Sequence, residues 1–276
     1  MTPRLFVLLF ALAAIAGAAL QSDIEFGNVD GVSLKMDAWI PDGEGLFPTV
    51  ILVHGGGWQQ GDKQTTFNPI FEPLSKAGFV WFTVNYRLAP KYHYPAAVDD
   101  VVSAIRYVEQ HAREFKVDPN RVAISGESAG GHIVALIGAR YASELRVRAV
   151  VPFYPATDFD ALVEGPDKND RAYHGVMQFV GATEVNDRTR KLLTDASPVT
   201  YVHKGMPPYL IVVGTADQTV GFRQSQEFCD RIKQAGSQCE IYSLKDAPHW
   251  LVRWENHPEW AGYKQKVPDW LKQQMK

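Results

Sequence analysis

Cysteine is nearly missing: the 276 residues contain two, Cys229 and Cys239. That excludes a disulfide-dense scaffold, so a hydrophobic core must carry the fold. No sign of charge dominates either. The formal net charge is −3 with both signs interspersed, which leaves no electrostatic footprint for nucleic acid or an anionic bilayer. There is no G-x-G-x-x-G, and no lysine follows a glycine loop at P-loop spacing, so the common nucleotide fingerprints are missing. Linkers, repeats and low-complexity runs are also missing from the interior. Residues 19–276 therefore read as one sizeable domain.

The one long apolar run bordered by a leader-type start is N-terminal. Arg4 precedes Leu5-Phe6-Val7-Leu8-Leu9-Phe10-Ala11-Leu12, and small residues ending in Ala16-Gly17-Ala18 follow. This is the charged start, short apolar core and small-x-small junction of a signal peptide over residues 1–18. The core is short for a spanning helix. The expectation is an exported protein, secreted or periplasmic, without stable membrane association after cleavage. In an oxidising compartment Cys229 and Cys239 can join a helix to the following strand; the alternative is two buried thiols.

Asp30-Gly31 between two alternating runs (24–29 and 32–40) marks an antiparallel hairpin. The continuous apolar runs 49–53, 79–84, 121–124, 147–151 and 209–214 suit strands buried on both faces by helices. Helical spacing appears near 66–76, from Pro95 through Ala97, Val101, Ala104, Ile105 and Val108, around Phe222, Phe228 and Ile232, and over 259–272. Pro95 falls at a first helical turn, and Asp99 and Asp100 suit the positive end of the helix dipole. The polar, irregular stretch at about 157–202 reads as a partly helical insertion, either over a site or simply packed on the sheet. Alternation of strand and helix after a hairpin gives an α/β fold with a mostly parallel sheet, helices on both faces and ligands at the carboxyl ends of its strands.

Chemistry concentrates at those ends. Gly126-Glu127-Ser128-Ala129-Gly130 lies between a strand and a helix, holding a serine hydroxyl clear of the backbone at the positive end of the helix. After the strand 49–53, His54-Gly55-Gly56-Gly57-Trp58 reads as an oxyanion loop, with the N–H groups of Gly55, Gly56 and Ala129 as donors; a glycine turn or phosphate cradle is the alternative. Asp217 and His249 follow the next strand ends, as acid and base for Ser128. The order Ser…Asp…His is that of the α/β-hydrolase fold. His257, Asp158 and Asp246 compete on position but not on strand-end placement. His132, one turn into the nucleophile helix, points away from the elbow and packs or faces solvent; His93, His111, His174 and His203 lie on connections or helix ends. His54 braces the loop, and Glu127 makes a buried structural contact. Trp58 and Tyr86 either line a substrate pocket or belong to the core.

These residues resemble the hormone-sensitive-lipase-like and carboxylesterase branch of the α/β hydrolases over about residues 48–250. The resemblance runs through His54-Gly55-Gly56-Gly57-Trp58, Tyr86-Arg87-Leu88-Ala89-Pro90, Gly126-Glu127-Ser128-Ala129-Gly130-Gly131, Asp217 with Val220, and His249. The short segment before the glycine loop, largely a hairpin, is closer to the cap-poor group that includes feruloyl and acetylxylan esterases. The resemblance implies a serine carboxylesterase working through an acyl-enzyme, with no metal and no cofactor. Its partner would be a small-molecule or carbohydrate-linked ester, with short acyl or hydroxycinnamoyl groups and plant polysaccharide as the source. An arylformamidase-like amidase and a non-catalytic binding protein on the same fold are the other readings.

Overall fold

The computed structural model describes residues 18–65, 67–164 and 171–276. The expected leader therefore lies outside the described residues, apart from Ala18. Strands β1 (Ala19–Val29) and β2 (Val32–Ile40) form the antiparallel hairpin, turning through Asp30 and Gly31, both at positive φ. β3 (Phe47–Val53), β4 (Val80–Val84), β5 (Val117–Glu127), β6 (Val147–Phe153), β7 (Tyr209–Gly214) and β8 (Cys239–Leu244) complete one eight-stranded sheet. Its order is β1-β2-β4-β3-β5-β6-β7-β8; β2 runs antiparallel to β4, and the strands from β4 to β8 are mutually parallel.

The helices are α1 (Phe71–Lys76), α2 (Ala96–Gln110), α3 (Ala129–Arg140), α4 (Phe159–Val163), α5 (Arg171–Val180), α6 (Asp187–Ala196), α7 (Phe222–Gln234) and α8 (Tyr263–Gln274). Period-two alternation divides the core between the two faces. Ile51, Val53 and Ile124 face the cluster containing α2, α3 and α7, while Val50, Leu52 and Ala123 face α1 and α8. Side chains of β4 and β7 are buried throughout, as continuous apolar runs require. The disulfide Cys229–Cys239 joins α7 to β8 across a Cα separation of 5.5 Å.

Several boundaries move. The helix near 66–76 is a 3₁₀ turn followed by the short α1. Pro95 caps α2 instead of occupying its first turn, and the last helix begins at Tyr263 after a separate 3₁₀ turn. Asp100 is buried and binds the Arg87 guanidinium at 2.9 Å, so its role is an ion pair under the chain leaving β4, not a dipole interaction. Sheet register sets up the site. Val53 pairs with Gly126, and Gly214 with Leu244, so the loops after β3 and β5, and those after β7 and β8, leave the sheet side by side.

Candidate active site

The turn after β5 is forced by crowding. A Cβ on Gly126 would collide with the carbonyl of Gly130, and one on Gly130 with the carbonyls of Val53 and His54. Ser128 itself sits at φ 53°, ψ −114°, immediately before α3. Non-glycine residues rarely adopt this conformation, which persists where the surroundings over-determine it. The hydroxyl is thereby held clear of the backbone beside the first turn of α3.

The three residues singled out for acid–base chemistry come together. Ser128 Oγ lies 2.9 Å from His249 Nε2, and His249 Nδ1 lies 2.6 Å from Asp217 Oδ2. Asp217 Oδ1 accepts the N–H groups of Thr219 and Val220 at 2.8 and 3.0 Å. Burial pushes the Asp217 carboxyl up, but His249 and these two N–H groups outweigh it and leave it below the usual carboxylate range. An ionised Asp217 accepting from Nδ1–H fixes the tautomer in which Nε2 can take the serine proton.

The competing residues are occupied elsewhere. Asp158 caps α4 through the N–H of Ala161, Asp246 is exposed, and His257 is exposed beside Glu259. His93 and His203 are exposed, and His111 bonds the carbonyl of Tyr107. His174, read from the sequence as lying on a connection or helix end, stands within α5 and lines the cavity. His132 is fully buried: Nδ1 accepts the indole N–H of Trp58 at 3.1 Å, and Nε2 donates to the carbonyl of Ala196 at 2.8 Å.

Two expectations need correction. The Gly55 N–H donates to Glu127 Oε1 at 3.0 Å, so it is not available to an oxyanion, and Gly55 does not line the cavity. Gly56, Gly57 and Ala129 do line it. Tyr86 is buried; its hydroxyl donates to the carbonyl of His54 at 3.1 Å and its ring stacks on the imidazole of His54, so it braces the glycine loop from behind and is no pocket wall. Trp58 combines both alternatives, lining the cavity while packing face to face on Phe179 at 4.9 Å.

The cavity beside Ser128 has a volume of about 370 Å³. The insertion supplies one side through Leu162 on α4 and Arg171, His174, Val176 and Gln178 on α5. Trp250, next to the histidine, stands at the rim, with the guanidinium carbons of Arg253 and Arg171 over its ring at 4.5 and 5.5 Å. Sequence reasoning missed Gly57 and Trp250; adjacency to Gly56 and His249 was their only available signal. Among the described residues there is no group of three metal-ligating side chains and no helix long and apolar enough to cross a membrane.

A serine at a strand–turn–helix elbow, paired with a histidine and an aspartate from later strand ends of a mostly parallel sheet, defines the α/β-hydrolase fold. Solved structures agree. A thermophilic esterase of Thermogutta terrifontis superposes with a TM-score of 0.74 at 27% identity, covering 96% of this chain and 97% of that one. A truncated carbohydrate esterase from gut microbiota shares the fold at a TM-score of 0.79 and 22% identity, covering 95% and 98%. The BD-FAE family model matches residues 36–232, and the chain belongs to that family. A probable carboxylic ester hydrolase of Mycobacterium tuberculosis, LipM, is 30% identical over 242 residues, covering 82% of this chain and 54% of LipM. The chain thus spans about half the length of the curated relatives LipM, LipC and LipQ.

Proposed function

We propose that this protein is an exported serine carboxylesterase that hydrolyses esters of short acyl or hydroxycinnamoyl groups, including esters on plant polysaccharide. The observation that carries the reading is the chain Ser128 Oγ–His249 Nε2 at 2.9 Å and His249 Nδ1–Asp217 Oδ2 at 2.6 Å, beside a cavity lined by Gly56, Gly57 and Ala129. Ser128 attacks the ester carbonyl as His249 takes its proton. The N–H groups of Gly56, Gly57 and Ala129 hold the oxyanion. Collapse expels the alcohol, protonated by His249, and leaves an acyl-Ser128. Water, deprotonated by the same imidazole, then releases the acid and restores the serine.

Membership of the BD-FAE family and similarity to LipM support ester chemistry. The Thermogutta terrifontis esterase has been solved with propionate bound, which favours a short acyl group here. The leader-like N-terminus and the Cys229–Cys239 disulfide both suit an oxidising, extracytoplasmic compartment.

The test is hydrolysis of a matched panel by the purified protein and its Ser128→Ala variant: p-nitrophenyl acetate, butyrate and decanoate, methyl ferulate, acetylated xylan and an N-formyl anilide. Ser128-dependent turnover of acetate and ferulate, falling off with decanoate, is the expected result. Preference for the anilide would replace the ester assignment by an amidase. No Ser128-dependent turnover of any member would refute the enzyme reading.

A further inference from the structure

Behind the oxyanion loop lies a buried polar chain that the reaction scheme does not use. Glu127, 3% exposed, precedes the nucleophile. Its Oε1 accepts the Gly55 N–H at 3.0 Å, and its Oε2 accepts the phenol O–H of Tyr154 at 2.6 Å. The same phenol oxygen accepts the N–H of Leu251 at 2.8 Å, two residues beyond His249. The Tyr154 ring lies 4.4 Å from the imidazole of His249. Tyr154 is fully buried at φ 37°, its own N–H bonded to the carbonyl of Val212 at 2.7 Å, so a residue of unfavourable backbone conformation is fastened at this point. Burial, followed by the adjacent Glu127, keeps the phenol protonated and able to donate.

We infer that Glu127 and Tyr154 are positioning residues that tie the oxyanion loop to the histidine loop, fixing donors and base in one relation around Ser128. This rests on the serine-hydrolase reading above. A carboxylate accepts at both oxygens, so it can take the Gly55 N–H and the Tyr154 O–H together. An amide has one accepting oxygen, so Glu127→Gln must leave one of those two buried donors unmatched. Tyr154→Phe keeps the ring against His249 but removes both the donor to Glu127 and the acceptor for Leu251. Either change breaks the same chain, and displacements of about 1 Å at a catalytic centre cost on the order of 100-fold in rate.

The experiment measures kcat and KM for p-nitrophenyl acetate with the parent, both single variants and the double variant, beside the folded fraction from circular dichroism. Each single variant is expected to lose about 10- to 100-fold in kcat per folded molecule while KM stays within about 3-fold. The double variant should lose no more than about the larger single loss, because one chain is broken only once. Single variants within about 2-fold of the parent, losses that multiply in the double variant, or activity that falls only with the folded fraction would each overturn the inference. A parent without Ser128-dependent turnover would instead sink the esterase reading itself.

Discussion

Lowering the pH from 7 to 4.5 tests the two buried imidazoles outside the reacting group. His132 accepts from Trp58 at Nδ1 and donates to Ala196 at Nε2, so a second proton would set an N–H against the indole N–H. Burial pulls it down from 6.5 to about 4, and burial does the same to His54, packed on Tyr86. In the unfolded chain both imidazoles take up protons near 6.5, whereas the folded chain resists until about 4. The unfolded state therefore binds more protons in this window, and stability falls as the pH falls. Each histidine forfeits about 2 kcal/mol between pH 7 and 4.5, and the pair about 5 kcal/mol. The total stability of a typical domain is only about 5–15 kcal/mol. Urea unfolding followed by tryptophan fluorescence at pH 7, 6 and 5 should give a slope of about 2 kcal/mol per pH unit near pH 5 from these two groups. His132→Asn retains an acceptor for Trp58 and removes one titrating group, so it should lower the baseline but cut that slope by about half. A flat profile from pH 7 to 5, or an unchanged slope in the variant, would show that these two imidazoles do not carry the acid sensitivity.

Other perturbations separate the parts of the site. Asp217→Asn should leave the fold intact and lower kcat by about 10⁴-fold through the wrong histidine tautomer, read from steady-state kinetics. Gly130→Ala drives a methyl into the carbonyls of Val53 and His54 and should abolish cooperative melting, whereas Gly57→Ala meets open space at φ 62° and should cost only about 1 kcal/mol in a thermal melt. Trp250→Ala removes the rim ring beneath two guanidiniums and should raise KM for aryl esters more than it lowers kcat. Reducing the Cys229–Cys239 bridge, which spans ten residues of sequence, should cost at most about 3 kcal/mol, seen as a lower melting temperature in dithiothreitol with unchanged kcat at 25 °C.

What was legible beforehand has a common physical basis. Strands buried on both faces write themselves as apolar runs, so β3 and β7 were visible in one dimension, and the residues just beyond them inherited their position from the sheet. The strand-end placement of Ser128, Asp217 and His249, which the fold brings within hydrogen-bond reach of one another, was readable in that way. What was illegible depends on partners distant in the chain. Gly55 and Gly56 look alike in sequence; only the carboxylate of Glu127, 72 positions away, decides that the Gly55 N–H turns inward. Tyr86 turns into a brace through the carbonyl of His54, 32 positions away, and His132 is enclosed by Trp58 and Ala196, 74 and 64 positions away. The contribution of α5 to the cavity was hidden for the same reason: its polar face over the site is indistinguishable from a solvent face in the sequence.

In the proposed reaction Ser128, made nucleophilic by His249, is the group that attacks. Intact-mass spectrometry after treatment with a serine-directed fluorophosphonate tests it most directly, with peptide mapping to locate the adduct. The expected result is one adduct per chain, on Ser128, formed at least about 10³-fold more slowly in His249→Ala and absent in Ser128→Ala. No adduct on the folded protein, or an adduct on Ser128 formed equally fast without His249, would contradict it.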